Sequence, residues 1–193
     1  MTELIMVRHG ETRANLDGKY CGRLDPPLSE TGINSVNKTA RTLAAFRPAR
    51  IYSSEALRAR QTAAIIEPNG TVVCLQALRE MNFGEFEGLN ANEIQSRMPD
   101  IWKRYIDNYR NFTFPGGDNV NDYLTKSAET INAIITESID GGVLIVSHKG
   151  FILSALSSLL HGDSHHIFSY DISPAGFARL SLAGGFPVLK QLV

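Results

Sequence analysis

Cysteine is scarce in this chain. Cys21 and Cys74 are the only two; they stand far apart, and neither belongs to a close pair of the kind that ligates a metal or forms a redox dithiol. So sparse a pair excludes a disulfide-stapled secreted scaffold and fits a reducing compartment. An excess of charge of one sign is missing too. Lys and Arg total 19 against 20 Asp and Glu, a formal net charge of −1, which leaves no broad basic face of the kind nucleic-acid binding requires. A local basic pocket is compatible with that balance. No apolar run comes near the ~18 residues that cross a membrane, and the N-terminus has neither the basic lead nor the long apolar core of a signal peptide. The expectation is a cytoplasmic protein with no membrane or nucleic-acid partner. A glycine-rich phosphate loop ending in Gly-Lys-Ser or Gly-Lys-Thr is absent, which removes P-loop ATPases. Neither cysteine has an arginine six positions later, so the cysteine-phosphatase loop is absent as well.

What is present is ordinary in bulk. With 193 residues, 43% hydrophobic and 20% charged, the chain has the make-up of a soluble globular protein, and one domain over residues 1–193 is expected. Short apolar strands alternate with stretches of helical period, the pattern of a mostly parallel sheet with helices on both faces. Leu4 to Val7 reads as the first strand. Ile33, Val36, Ala40, Leu43 and Ala44 recur at helical spacing, with Ser29 or Thr31 as N-cap. Arg50 to Ser53 is a short strand, Glu55 to Ile66 a helix stopped by Pro68-Asn69-Gly70, and Thr71 to Leu75 a further strand. Val143-Leu144-Ile145-Val146 within Gly142 to Ser147 reads as a central buried strand, followed by a helix over Phe151 to Leu160. Gly176 to Leu182, a turn at Ala183-Gly184-Gly185, and Val188 to Val193 form a terminal hairpin.

The residues with chemistry begin where the first strand ends. Arg8-His9-Gly10-Glu11 follows the apolar run directly, and ligands in open α/β sheets bind beyond the carboxyl ends of strands. An arginine fork matches phosphate geometry, histidine can serve as a nucleophile, and glycine lets the backbone approach a ligand closely. Three further segments complete the pattern: Ser53-Ser54-Glu55-Ala56-Leu57-Arg58-Ala59-Arg60-Gln61-Thr62, Leu78-Arg79-Glu80-Met81-Asn82-Phe83-Gly84, and Val146-Ser147-His148-Lys149-Gly150. With Thr12, Asn15 and Gly22, they resemble, in order along nearly the whole chain, the histidine phosphatase superfamily, in the branch that holds cofactor-independent small phosphatases and phosphoglycerate mutases.

The resemblance implies an α/β fold, a three-layer α/β/α phosphoglycerate mutase-like architecture with a mostly parallel central sheet. It implies a phosphomonoesterase that works through a phosphohistidine, with no cofactor and no metal. His9 is then the nucleophile, and Arg8, Arg58 and His148 clamp the phosphoryl group. Glu80 serves as acid and then base, preferred by the family pattern over Glu85, Glu87 and Glu93. Asn15 and the backbone around Cys21 and Gly22 add neutral donors. The same pattern selects Arg58 over its rival Arg60. Nearby cations lower the pKa of His9 while a bound phosphate dianion raises it. Residues 90–121, with helices over Glu93 to Arg97 and Ile101 to Tyr109 and a loop from Phe112 to Gly117, correspond to an excursion that roofs the site in the family. Its Trp102, Tyr105, Tyr109, Phe112 and Phe114 either pack a satellite core or stack on an organic leaving group.

Two departures from the family pattern bear on specificity. Lys149 adds a cation where a small or neutral residue is frequent, to receive a second anionic group or to face solvent. Asn82 replaces an acidic residue. The cluster His161-Gly162-Asp163-Ser164-His165-His166 matches no known metal spacing and reads as a surface loop. The substrate is a small organic phosphate ester, and the resemblance points to α-ribazole 5′-phosphate, used in assembling the lower ligand of cobalamin. The alternatives are a broad-specificity or sugar-(bis)phosphate phosphatase, a phosphoglycerate mutase, and, less favoured, a non-catalytic binding member.

Overall fold

The computed structural model describes residues 3–137, 141–182, 184 and 186–193. Six strands form one sheet: β1 (Glu3–Arg8), β2 (Pro48–Ser54), β3 (Val72–Leu75), β4 (Gly142–Ser147), β5 (Phe177–Ser181) and β6 (Val188–Leu192), in the spatial order β3-β2-β4-β1-β5-β6. β3, β2, β4 and β1 run parallel, while β5 and β6 are antiparallel to their neighbours. The expected mixed, mostly parallel sheet is therefore present, with Val143 to Val146 near its centre.

The unbroken apolar runs of β1 and β4 exist because both faces of the sheet are covered. Side chains alternate between the faces. Ile5, Val7, Leu144 and Val146 pack against Val36 of α2 (Glu30–Thr42) and Ala59, Ala63 and Ile66 of α3 (Leu57–Ile66). Leu4, Met6, Val143 and Ile145 face the other layer, which includes Leu124, Ile131 and Ile134 of α6 (Val120–Glu137) and Phe151, Ile152 and Ala155 of α7 (Lys149–His161). Before α2 comes a single turn, α1 (Arg13–Leu16), closed by a reciprocal Thr12–Asn15 capping box. Between β3 and α6 lie α4 (Ala91–Arg97), capped by Asn90 and Glu93, and α5 (Pro99–Asp107), which starts on proline, a residue pre-set for the first helical position.

Boundaries differ from expectation by no more than three residues, and Gly142–Ser147 matches at both ends. Ser29 rather than Thr31 caps α2, accepting from the Gly32 amide, and α3 begins at Leu57 rather than Glu55. The larger difference is α6, 18 residues long, where no helix was expected and whose first two residues, Val120 and Asn121, lie inside the presumed excursion. Its buried stripe, Val120, Tyr123, Leu124, Ser127, Ile131 and Ile134, does follow helical spacing. Ser127 interrupts the apolar signal, and it is accommodated by donating to the Tyr123 carbonyl at 2.9 Å. The hairpin strands pair as expected; Ala183 and Gly185 of its turn lie outside the described residues.

Candidate active site

Strand register builds the core of the site. β1 and β4 are parallel neighbours with Arg8 opposite Ser147, so the next residues, His9 and His148, leave the same carboxyl edge side by side. The His9 amide donates to the Ser147 carbonyl at 2.9 Å, and the two imidazoles meet edge to face with centroids 5.0 Å apart, close to the spacing of adjacent strands. Behind His9, the Ala175 amide donates to the His9 carbonyl at 3.1 Å. Ala175 holds a left-handed φ of 61°, an uncommon conformation for a residue with a Cβ.

The partners of each ring fix its proton. His9 Nδ1 lies 2.7 Å from the Gly10 carbonyl; a carbonyl only accepts, so Nδ1 carries the hydrogen and Nε2 keeps its lone pair. That lone pair faces Arg58 Nε at 3.3 Å. His148 Nδ1 accepts from Arg58 Nη2 at 3.2 Å, so its Nε2 donates to Ser54 Oγ at 2.8 Å. Burial is the main force that pushes His9 down to about 3, helped by Arg58 and Arg8 and opposed by the Gly10 carbonyl. Burial, then His9 and the arginines, holds His148 well below the ordinary histidine value. Both rings are neutral across the physiological range. Cations were expected to depress His9; they do, behind desolvation.

The arginines are buried unequally in partners. Arg58, only 1% exposed, sits at the second position of α3, while its rival Arg60 is exposed. Its Nη1 donates to Leu24 O at 2.7 Å, and Nη2 to Cys21 O at 3.2 Å and Gly22 O at 3.1 Å. Arg8 Nη1 donates to Ile172 O at 2.7 Å, but its buried Nε has no protein acceptor. Desolvation lowers the Arg8 pKa against the pull of Glu80 and Asp171.

Glu80 is 9% exposed. Its Oε1 accepts from the Met81 amide and the Tyr123 hydroxyl, each at 3.0 Å, and its Oε2 from the Gly150 amide at 3.1 Å. Burial and this carboxylate raise the Tyr123 pKa well above the usual phenol range, so Tyr123 remains a donor. Of the other nearby glutamates, Glu85 is exposed and Glu93 caps α4.

Arg8, His9, Glu80, Asn15, Cys21 and Lys149 all line one cavity of about 720 Å³. Tyr20, Phe83, Tyr105, Tyr109, Phe168 and Tyr170 line the same cavity. The two readings of the excursion's aromatics divide by residue. Tyr105 and Tyr109 face the cavity, whereas Phe112 and Phe114 are buried in the core around Phe86. Asn15 Oδ1 is taken up by Thr12. Gly22 differs from expectation: its N–H is committed to the Glu87 carboxylate at 3.0 Å, so it offers no donor to a ligand. Lys149 does face the cavity, with its ammonium 2.6 Å from the Asp171 carboxylate. Asn82 shapes a turn, its amide donating to Asp118 Oδ2 at 2.7 Å and its Oδ1 accepting from Gly84. His161 stacks on His166 and pairs with the Tyr170 hydroxyl; among the described residues no three His, Cys, Asp or Glu side chains converge as a metal site.

Three contributors carried no role in the sequence reading. Ser54 orients His148, Thr62 Oγ1 accepts from the Gly10 amide at 3.0 Å, and Glu87 grips the segment around Gly22. Ser54 and Thr62 lay inside the quoted motif, so their signal was available; Glu87 looked like one of several solvent-facing glutamates.

A mostly parallel sheet that gathers two neutral imidazoles and two guanidiniums at one strand edge, with Arg8 and His9 lining the cavity and Arg58 and His148 packed directly behind them, defines an α/β enzyme equipped for an anionic group such as a phosphate. Comparison with known families agrees: the model of the histidine phosphatase superfamily (branch 1) matches residues 4–193, and the chain belongs to that superfamily, as a phosphatase. It is 29% identical over 192 residues to the adenosylcobalamin/alpha-ribazole phosphatase of Salmonella typhimurium, covering 98% of this chain and 95% of that one. The alpha-ribazole phosphatase of Shigella flexneri has the same fold, with a TM-score of 0.93 at 22% identity over 98% of this chain and 95% of that chain. A phosphoserine phosphatase mutant (H9A) of Entamoeba histolytica in complex with phosphoserine superposes with a TM-score of 0.86 at 27% identity, over 100% and 96% of the two chains. No described helix is long and apolar enough to cross a membrane.

Proposed function

We propose that this phosphatase hydrolyses a small organic phosphate monoester by way of a phosphohistidine on His9. One observation carries the reading: His9 is a buried neutral imidazole whose Nε2 lone pair faces Arg58 across 3.3 Å while Nδ1 is anchored on Gly10. The nucleophilic nitrogen is thus unprotonated and aimed at the guanidinium, and it can attack without first losing a proton. Phosphate oxygens displace the Arg58 Nε contact and take donors from Arg8, whose Nε is unpartnered, and from Arg58. These fixed cations stabilise the charge spread over the transferring group. Neutral His148, through its Ser54-oriented ring, holds its place beside the phosphoryl oxygens.

Nε2 bonds to phosphorus as the P–O bond to the organic group breaks, and protonated Glu80 gives its proton to the departing oxygen. Water then attacks the phosphohistidine, Glu80 takes the water's proton, the N–P bond breaks, and orthophosphate leaves. Glu80 lines the cavity, and two amides and a phenol fix the position of its carboxyl group for both proton transfers. The steps need no metal and no cofactor, so EDTA should leave turnover unchanged.

As the substrate we propose α-ribazole 5′-phosphate. The volume far exceeds what a phosphoryl group needs, and the ring of tyrosines and phenylalanines suits stacking on a benzimidazole base. Residues 90–121 act as the roof through Tyr105 and Tyr109, within one catalytic unit spanning the chain. The near-balanced charge and the free small-molecule substrate support a cytoplasmic enzyme acting without nucleic acid or membrane. Labelling quenched directly into alkali, where a P–N bond survives, should trap phosphate on His9, and kcat/KM should be highest for α-ribazole 5′-phosphate among it, fructose bisphosphate and 3-phosphoglycerate. No trapped phosphohistidine overturns the mechanism. A preference for fructose bisphosphate, or isomerised phosphoglycerate by NMR, overturns the substrate.

A further inference from the structure

Glu87 makes no ion pair with a basic side chain among the described residues, yet it is saturated with donors. Its Oε1 accepts from the amides of Gly22 at 3.0 Å, Arg23 at 2.9 Å and Phe83 at 3.1 Å, and its Oε2 from Gly22 at 3.1 Å and Leu24 at 3.2 Å. The other side of the same short segment is equally occupied. The carbonyls of Cys21, Gly22 and Leu24 all accept from Arg58. Two whole peptide groups, Cys21–Gly22 and Gly22–Arg23, therefore lie with N–H on the carboxylate and C=O on the guanidinium.

We infer that Glu87 is a positioning residue for Arg58, acting through those two peptide groups as a relayed ion pair. Each end is a charge-assisted hydrogen bond, roughly twice as strong as a neutral one, and bonds in series polarise one another. The carboxylate draws on the N–H groups, which makes the carbonyls better acceptors and holds the guanidinium at its present angle to His9. Glycine is required in the middle. A Cβ on Gly22 would lie 1.8 Å from the Met81 carbonyl oxygen and 2.7 Å from Glu87 Oε1, so any side chain would push the carboxylate off the backbone. Glu87 touches no reacting atom in this scheme. Its effect passes through Arg58 alone, and the inference rests on the reading that Arg58 holds the phosphoryl group.

The rival explanation is a plain staple between residues 22–24 and 83–87 with no bearing on Arg58. A double-mutant cycle separates the two. In the full chain, Glu87→Gln keeps the size of the side chain and removes its charge. It should lower kcat/KM for phenyl phosphate by about tenfold to a hundredfold, the scale of a lost charged hydrogen bond, and raise the inhibition constant of orthophosphate in parallel. In an Arg58→Ala background the same substitution should change both quantities by less than about threefold, because the group it positions is gone. Equal losses in both backgrounds overturn the inference. An Arg58→Ala variant with undiminished kcat/KM overturns the phosphate-site reading instead. Should Glu87→Gln fail to melt cooperatively, Glu87→Asp, which retains the charge and shortens the reach, enters the same cycle under the same criteria. If neither variant folds, Glu87 belongs to the scaffold and the inference fails.

Discussion

Mild acid should destabilise this protein through its own catalytic imidazole. His9 is pushed down to about 3 when folded, whereas an unfolded histidine titrates near 6.5. The folded state therefore binds fewer protons than the unfolded state across that interval, and stability falls as pH drops. The stabilisation from keeping His9 neutral is complete above about pH 6.5 and is lost progressively down to about pH 3. At pH 5 the unfolded chain has gained about 2 kcal/mol from protonating this one residue, from 1.5 pH units at 1.36 kcal/mol each. With a urea m-value of about 2 kcal/mol per molar, the unfolding midpoint should drop by about 1 M between pH 7 and pH 5 on account of His9. His148, also depressed by burial, steepens the fall in the same direction. The assay is urea unfolding at pH 7, 6 and 5 for the wild type and His9→Asn, each with and without orthophosphate. His9→Asn should flatten the pH dependence, and a bound anion, which favours protonated imidazole, should flatten it in the wild type. A midpoint that is constant from pH 7 to 5, or a slope that His9→Asn leaves intact, would refute the reasoning.

Three further outcomes follow from particular contacts. Glu80→Gln should cost about 10²–10⁴-fold in kcat/KM, which reports the first phosphoryl transfer, on alkyl phosphates, whose alkoxides need a proton, and less than about tenfold in kcat/KM on p-nitrophenyl phosphate; equal losses on both would remove the acid role. Asp171→Asn should release Lys149 from its 2.6 Å partner and raise kcat/KM for 3-phosphoglycerate relative to phenyl phosphate by about five-fold, near 1 kcal/mol for a charge pair in water. That gain should shrink at high salt, and an unchanged ratio would place Lys149 outside substrate selection. Gly22→Ala should lower stability by about 1–3 kcal/mol, since its Cβ would meet a backbone oxygen; an unshifted thermal midpoint would show that the 21–24 segment can move aside.

The catalytic edge was legible from sequence because its signals are local and dense. Val7 to His9 and Val146 to His148 each place a histidine just after a buried run, and a parallel sheet brings strand ends together without further information. Arg58 was separable from Arg60 only by family pattern, and burial explains the choice physically. What stayed hidden depends on contacts between distant segments. Glu87 gains its meaning from amides 63–65 positions away, and no local spacing announces such a partner. Gly22 was recognised as part of the site, but its work is to admit a carboxylate, which only packing against Met81 reveals. The helix α6 was overlooked because a serine and a tyrosine stand in its buried stripe, where a scan for aliphatic residues sees gaps. Among the aromatics, composition marked the group, and only the path of the chain from α5 to Phe114 sorted those facing the cavity from those beneath it.

The ladder between β1 and β4 has a consequence for how such a protein can change. The distance between the reacting ring and its companion is set by a row of main-chain bonds, far from any surface segment. Inserting one residue into either strand would turn its histidine to the opposite side of the sheet, so the chemistry tolerates no drift in those twelve positions. The walls of the cavity hang on separate stretches of chain: Tyr20, Phe83, α5 with Tyr109 just beyond it, and the segment that follows α7. New substrates can therefore be recruited by rewriting the walls while the reactive edge is inherited unchanged.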